Sequence, residues 1–299
     1  MTEKTFLREL IETPIKLSAL GFDKTSEILK NAKKVFENET LLLEFNIQNG
    51  EKEVYVIGDI HGNLDTLLKI FEVIELNEPE FVIFLGDIVD RGSKQVECLL
   101  FILVLKILEP QRYYLLRGNH ETLEMNQYYG FTQEFVKRFK DPNKFEEILA
   151  FYNVIPICAT INNRILCLHG GIPQDKHILQ KIRNMRTTDL DKIIHSISES
   201  FIQIMWNDPK VNLQGFKASF RGPGIKFFGE DVFDSFLKEN NLEFLIRAHE
   251  CFLEGYKWFF HNRLLSIFTS ANYRGNFSPN PASYAVIRKN EIIPKIVKF

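Results

Sequence analysis

With 299 residues, the chain is longer than one average domain but still within reach of a single large α/β domain. A hydrophobic share of 45% and 27 Phe provide enough apolar material for a substantial core, which excludes an intrinsically disordered chain. The formal net charge of -2 supplies no basic field, so neither nucleic acid nor an anionic membrane surface is expected as a partner.

In chain order, the start MTEKTFLRELIETP is charged and has no apolar stretch of the kind a secretory signal needs. The first forty residues carry helical apolar spacing at Phe6 and Leu10, and again at Ile28, Ala32 and Val35. This segment is expected to pack on the core, with a docking surface as the alternative. From Glu53 the pattern changes to short apolar runs, each ending in a polar or glycine-rich turn. Val54–Ile57, Phe81–Leu85, Arg112–Leu116, Val154–Thr160, Ile165–Leu168, Phe244–Ile246 and Leu264–Phe268 read as buried strands. Helices are predicted near Leu64–Glu75 and Gln95–Leu108, so the first three strands form βαβαβ units with right-handed crossovers. The apolar run Cys98 to Ile107 is interrupted by Lys106 and is far shorter than the roughly 20 residues that span a bilayer. Asn162–Asn163 marks a hairpin turn, and the later strands are expected to pair antiparallel. The predicted fold class is α/β, a mixed β-sandwich flanked by helices, with no internal boundary and no linker. The four cysteines show no CxxC spacing and read as reduced, mostly buried thiols of a cytoplasmic protein, a nuclear location being the alternative.

The informative residues are those that end the strands. The first run leads into Gly58-Asp59-Ile60-His61-Gly62-Asn63, and the second into Gly86-Asp87-Ile88-Val89-Asp90-Arg91-Gly92. The third leads into Arg117-Gly118-Asn119-His120-Glu121; later runs end in His169-Gly170-Gly171 and Arg247-Ala248-His249-Glu250. In an α/β sheet, ligands gather outside the carboxyl ends of the strands, so these groups converge on one rim. Asp59 and His61 lie two apart and point the same way in extended chain, able to grip one ion. Asp87 and Asn119 follow at roughly one strand–helix unit each. Carboxylate and carboxamide mixed with imidazole suits Mn, Fe or Zn better than Mg or Ca. Asp59, His61, Asp87, Asn119, His169 and His249 exceed what one tetrahedral ion needs; they fit two ions sharing a bridging carboxylate, with Asp87 the central candidate. A strand-end Asp or His often only caps a turn. Four of the seven His at such ends are more than capping explains, whereas His177, His195 and His261 lie in polar stretches and read as surface or packing residues.

The blocks GDIHGN, GDIVDRG, RGNHE, HGG and RAHE, in that order, resemble those of the PPP-type serine/threonine protein phosphatases of the calcineurin-like metallophosphoesterase superfamily. Trp206-Asn207-Asp208-Pro209, Arg221-Gly222 and Ser270-Ala271-Asn272-Tyr273 resemble further blocks of that family. The likeness runs from about Leu43 to the C-terminus, which implies one catalytic domain over residues 1–299: a helical segment 1–42 packed on a metallophosphatase core 43–299.

The resemblance implies a first metal held by Asp59, His61 and Asp87 and a second held by Asp87, Asn119, His169 and His249, with two Mn ions or an Fe/Zn pair as the cofactors. It implies hydrolysis of phosphoserine and phosphothreonine in proteins by direct attack of a hydroxide bridging the two metals. His120 would then protonate the leaving alkoxide, supported by Asp90, the alternatives being a further metal ligand or a structural histidine. Arg91, Asn119, Arg221 and Tyr273 would face the phosphate, although a surface role for Arg221 and a packing role for Tyr273 stay open. Trp206 and Asp208 read as supporting structure near the rim, Asp208-Pro209 as a turn. Phosphoproteins are the expected partners, and a regulatory subunit is a further one that the family implies.

Three departures stand out: Asn126-Gln127 where the family carries Asn–Arg, a missing proline before Asn272, and Arg274 where cysteine is usual. Gln127 is expected to remove a positive charge near the phosphate. No departure removes a ligand candidate. Two rival functions remain, a diadenosine tetraphosphatase-like hydrolase and a catalytically silent scaffold of the same fold. Val89-Asp90-Arg91-Gly92 and Asn272-Tyr273 lean away from the first, and the full set of ligand candidates leans away from the second.

Overall fold

The strand Val54–Ile57 is buried at every position, so both of its faces need a core. Val54 and Val56 point into one apolar cluster, while Tyr55 and Ile57 point into another, as the two-residue period of a strand requires. The computed structural model describes residues 2–47, 52–275, 279–289 and 291–298. Its strands begin with β1 (Leu42–Phe45), β2 (Val54–Ile57), β3 (Phe81–Phe84), β4 (Tyr113–Leu115), β5 (Cys158–Ile161) and β6 (Ile165–Leu168). Then come β7 (Asp208–Pro209), β8 (Phe216–Ala218), β9 (Lys226–Phe228), β10 (Phe244–Arg247) and β11 (Tyr256–Phe259). The last are β12 (Leu264–Ile267), β13 (Ser283–Arg288) and β14 (Glu291–Ile296).

Two sheets stack face to face. One has the order β14-β13-β2-β3-β4, the other β1-β5-β6-β10-β12-β11, and a small third sheet has the order β7-β9-β8. Both large sheets mix parallel and antiparallel pairs: β2, β3 and β4 run parallel, while β13 lies antiparallel to β2. Ala159, Cys167, Leu265 and Ile267 of the second sheet meet Val54, Val56 and Ile83 of the first across the inner core. The other face of the first sheet shares a core with α1 (Glu3–Glu12), α2 (Phe22–Phe36), α3 (Leu64–Asn77), α4 (Gln95–Leu108), α6 (Phe131–Phe139) and α7 (Glu146–Tyr152), while α5 (Leu123–Tyr129) adds none of its residues to that cluster. The outer face of the second sheet is covered by α8 (Ile178–Ile182), α9 (Leu190–Trp206) and α10 (Glu230–Glu239). The predicted mixed sandwich flanked by helices is thus the observed architecture.

Leu7, Leu10, Ile28 and Ala32 join the core that contains α4, and the Phe22 ring meets Phe135 and Phe139 edge-on at 6.3 and 5.5 Å. The Asn162–Asn163 turn is also present, both residues adopting positive φ (53° and 51°), as tight hairpins between right-twisted strands demand. The run read as a strand over Val154–Thr160 becomes one only at Cys158, because Val154 and Ile155 still belong to the turn that leaves α7. Asp208-Pro209, read as a turn, forms the short strand β7 instead. Cys98, Cys158 and Cys167 are buried, Cys251 is half-buried, and all four are free thiols. Among the described residues, no helix is long and apolar enough to cross a membrane.

Helix α4 is apolar almost all round because it lies inside the molecule, buried from Gln95 through Lys106. Of its two buried charged residues, Glu97 accepts from Arg138 Nη1 at 3.2 Å, and the Lys106 Nζ donates to Glu39 and to the Pro110 carbonyl, the latter at 2.8 Å. Burial pushes Glu39 up and Lys106 down, each toward its neutral form and against their mutual attraction. Desolvation therefore outweighs pairing here, and the pair is costly to break but not intrinsically stabilising. Accordingly, Lys106→Met should destabilise the fold by about 3–5 kcal/mol in urea unfolding, and adding Glu39→Leu should restore most of that loss. A double variant no more stable than Lys106→Met alone would contradict this.

Candidate metal centre

Tight turns at the carboxyl ends of β2, β3 and β10 force non-glycine residues into left-handed backbone: His61 (φ 49°), Asp87 (φ 54°), Asp90 (φ 68°), Arg91 (φ 74°) and His249 (φ 68°). Such conformations are costly for these side chains and persist only where surrounding bonds enforce them. Glu121 is the main enforcer. Its carboxylate accepts from the backbone N–H groups of Asp87 (2.8 Å), Ile88 (3.0 Å) and Gly118 (2.8 Å), tying the turn after β3 to the turn after β4. Only glycine fits at 118, since a Cβ there would stand 2.2 Å from Asp87 Oδ1.

Around Asp87 the predicted ligands come together. Its Oδ1 accepts from the His120 backbone N–H at 2.9 Å. Its Oδ2 lies 3.2 Å from His169 Nε2, 3.7 Å from His61 Nε2 and 3.9 Å from His120 Nε2. On one side, Asp59 Oδ2 lies 3.6 Å from His61 Nε2. On the other, His169 Nε2 lies 2.9 Å from Asn119 Oδ1 and 3.2 Å from His249 Nδ1. Asp59 Oδ1 accepts from the His249 backbone N–H at 3.0 Å, which joins the two halves.

The orientation of the rings shows what the cluster wants. His61 Nδ1 and His169 Nδ1 each face a backbone carbonyl, of Val89 and Leu85, both at 3.0 Å. A carbonyl can only accept, so both Nδ1 atoms carry protons and the Nε2 lone pairs point into the cluster. There they meet carboxylate and carboxamide oxygens that also offer only lone pairs. Burial, with the positive charges of His120 and Arg91, holds His61 down at about 3, and burial with the nearby Arg221 charge drives His249 far below its ordinary range. Both are thus kept in the neutral, metal-ligating form. Burial pushes Asp59 up to about 6. Burial opposes the charged form of Asp87 too, but positive charge on His169 and His120 outweighs it and lowers the Asp87 pKa. His249 Nε2 is buried with no hydrogen-bond partner. Lone pairs of imidazole, carboxylate and carboxamide that converge within hydrogen-bond distance of one another fit a site for cations. Asp87 belongs to two groups of potential ligand atoms, one with His61 and His120 and one with His169 and His249.

His120 has a second relationship. Its Nδ1–H donates to Asp90 Oδ2 at 2.7 Å, and Asp90 is itself fixed by Asn126 Nδ2–H (3.0 Å) and the Phe131 backbone N–H (3.1 Å). Burial works against a charged His120, yet Asp87 and Asp90 prevail and its pKa is raised. A cavity of about 100 Å³ adjoins this dyad, with Asp87, Asn119, His120, His249, Arg91, Arg221 and Tyr273 among its lining residues. Asp59, Asp90 and His169 are not part of that lining. The Arg91 guanidinium sits 3.7 Å from the Tyr129 ring centroid and 5.9 Å from that of Tyr273, which stacks on His61 at 5.1 Å. Through His61, Arg91 and Tyr273 the cavity shares walls with a groove of about 690 Å³.

Several contributors were not apparent from sequence. Asp208, read only as support, accepts from Arg221 Nε at 2.5 Å and from Arg247 Nη2 at 2.8 Å, and so aims Arg221 at the cavity. Asn126 reaches both Asp90 and the His120 carbonyl, while Tyr129 forms the platform for Arg91. Trp206 meets the His249 ring edge-on at 5.5 Å. Gln127, expected to cost a charge near the phosphate, is exposed and stands outside the cavity lining. Arg274 is exposed and donates to the Cys251 carbonyl at 3.0 Å. His177 and His261 face Glu239 and Glu230 at the surface, and His195 is exposed.

The model of the calcineurin-like phosphoesterase family matches residues 52–252. Among solved structures, a protein serine/threonine phosphatase from Saccharomyces cerevisiae, described as similar to human phosphatase PP5, superposes with a TM-score of 0.84 at 25% identity, over 100% of this chain and 96% of that one. A cold-active protein tyrosine phosphatase shares the fold at 18% identity and a TM-score of 0.61, covering 88% of this chain and 80% of that one. A cold-active protein tyrosine phosphatase of a psychrophilic Shewanella species matches at 17% identity and 0.59, covering 89% and 84%. With candidate ligand groups from five strand ends meeting at Asp87 and this match over most of its length, the chain belongs to the calcineurin-like phosphoesterase family.

Proposed function

We propose that the chain hydrolyses phosphoserine and phosphothreonine in proteins, acting as one catalytic domain over residues 1–299. Asp59, His61 and Asp87 would hold one divalent ion, and Asp87, Asn119, His169 and His249 a second. The observation that carries this reading is the Asp87 carboxylate, which faces both ligand groups while the His120–Asp90 pair stands beside it. The mixed nitrogen and oxygen donors suit Mn or an Fe/Zn pair. When bound, such ions supply Lewis acidity, neutralising phosphate charge and acidifying a water.

The rest falls to the chain's own residues. Arg91 and Arg221 both line the cavity and can offer paired N–H donors to the non-bridging phosphate oxygens. Asp208 occupies Arg221 Nε, which leaves the terminal nitrogens for the substrate. The Asn119 carboxamide and Tyr273 border the same space. A serine or threonine alkoxide leaves poorly unless protonated. His120, with Nδ1 committed to Asp90 and its pKa raised, keeps a proton on Nε2 at the cavity side and can deliver it to that oxygen. The choice of serine/threonine phosphoproteins is supported by the order of the motif blocks and by the yeast phosphatase that matches over the whole chain.

His120→Asn should keep both metals, measured by elemental analysis, yet lower kcat on a phosphoserine peptide by about 10²–10⁴-fold. On p-nitrophenyl phosphate, whose leaving group needs no proton, the loss should be much smaller. Equal losses on the two substrates would remove His120 from the role of acid. With Mn-loaded wild type, preference for diadenosine tetraphosphate over phosphopeptide would overturn the substrate class, and no turnover of any phosphate ester by protein holding both ions would favour a scaffold.

A further inference from the structure

Arg221 is brought to the cavity by the connection between β8 and β9, part of a stretch of unusual composition. From Pro209 to Phe228 the chain carries Lys210, Lys217, Arg221 and Lys226 and no Asp or Glu. In the small sheet, Phe227 pairs with Lys217 on one side and Asp208 on the other, so these residues share a face. The Lys210 ammonium lies 4.7 Å from the Phe227 ring centroid, and the Phe220 ring packs on Phe227 at 5.5 Å. Phe220 directly precedes Arg221 and is 87% exposed.

Lys210 and Lys217 are exposed, and among the described residues neither is ion-paired. Asp208, the acid on that face, is taken by Arg221 and Arg247. Asp231, at the start of α10, turns both oxygens to the Gly215 backbone N–H, at 2.9 and 3.0 Å. Beyond its contact with Phe227, the Phe220 ring is exposed, beside ammonium groups that meet no carboxylate among the described residues, and it stands one residue from the arginine on the cavity wall.

We infer that the Lys210–Lys217–Phe220 face is a specificity subsite for acidic residues flanking the phosphorylated serine or threonine of a protein substrate. The inference rests on the phosphoprotein phosphatase reading above. Lys210 and Lys217 pair with the flanking carboxylates, and the Phe220 ring covers their aliphatic stems. An extended substrate advances about 3.3 Å per residue, so positions within a few residues of the phosphate reach this face while the phosphate stays beside Arg221. No small phosphate ester touches it. The subsite therefore acts on KM for peptides and leaves chemistry alone.

The test uses Mn-loaded enzyme and three substrates: a phosphothreonine peptide with Asp and Glu flanks, the same peptide with Asn and Gln flanks, and p-nitrophenyl phosphate. Wild type should show a KM about fivefold lower for the acidic peptide, as expected for exposed ion pairs, and the difference should shrink at high salt. Lys210→Glu/Lys217→Glu should reverse the preference while p-nitrophenyl phosphate turnover stays unchanged. Phe220→Ala should raise KM for both peptides without lowering kcat. Equal KM values for the two peptides in wild type would overturn the subsite alone, as would a double variant that slows all three substrates alike. Turnover of p-nitrophenyl phosphate with neither peptide cleaved would overturn the phosphoprotein reading and the subsite with it.

Discussion

Lone pairs with no cation between them repel, and the centre of this molecule is built from them. His169 Nε2 lies within 3.2 Å of an Asp87 oxygen, an Asn119 oxygen and a His249 nitrogen. The backbone carbonyls of Leu85 and Val89 fix two of the imidazoles with their lone pairs inward. Without metal, only protons can relieve the crowding, which is why His169 is driven toward its charged form despite complete burial. A pair of divalent cations relieves it more fully, and the strained turns at Asp87, His61 and His249 are the conformational cost of gathering those groups.

That cost is carried by ordinary structure around the site. Parallel β2, β3 and β4 set three turns side by side at one end of a sheet, and the inner core locks the second sheet over them so that His169 and His249 face Asp87. The Glu121 carboxylate then clamps two turns through three backbone N–H groups. Its pKa is pushed up to about 7 by burial and by the Asp87 charge, so the clamp itself depends on positive charge arriving nearby. Metal binding and local order are thus coupled, as when ligands must be deprotonated and preassembled before an ion is held.

Much of this was legible from residues alone, because the site sits where short apolar runs end. The runs locate the sheet, and the polar residues after each run are the candidate ligands; five such ends were enough to name Asp59, His61, Asp87, Asn119, His169 and His249. Less legible were elements whose reason lies in tertiary contact. Strand β14 contains Pro294 and has no fully buried position, so its pairing with β13 leaves little trace in its sequence. Asp208 and Glu121 look like turn residues locally, and only the fold shows that one aims Arg221 and the other holds Asp87. Gln127 shows the converse error: a family position judged by neighbourhood in sequence turned out to face solvent, while Tyr129, two residues on, supports Arg91.

The arrangement stands or falls on Asp87 joining two cations. Chelator-stripped protein titrated with Mn(II) and followed by metal analysis and electron paramagnetic resonance addresses this directly. Wild type should take up about two ions per chain and give the spectrum of an exchange-coupled pair. Asp87→Asn should lose that coupled signal and most of the second ion's affinity. A single ion in wild type, or an unchanged coupled pair in Asp87→Asn, would contradict a shared carboxylate at the centre of the site.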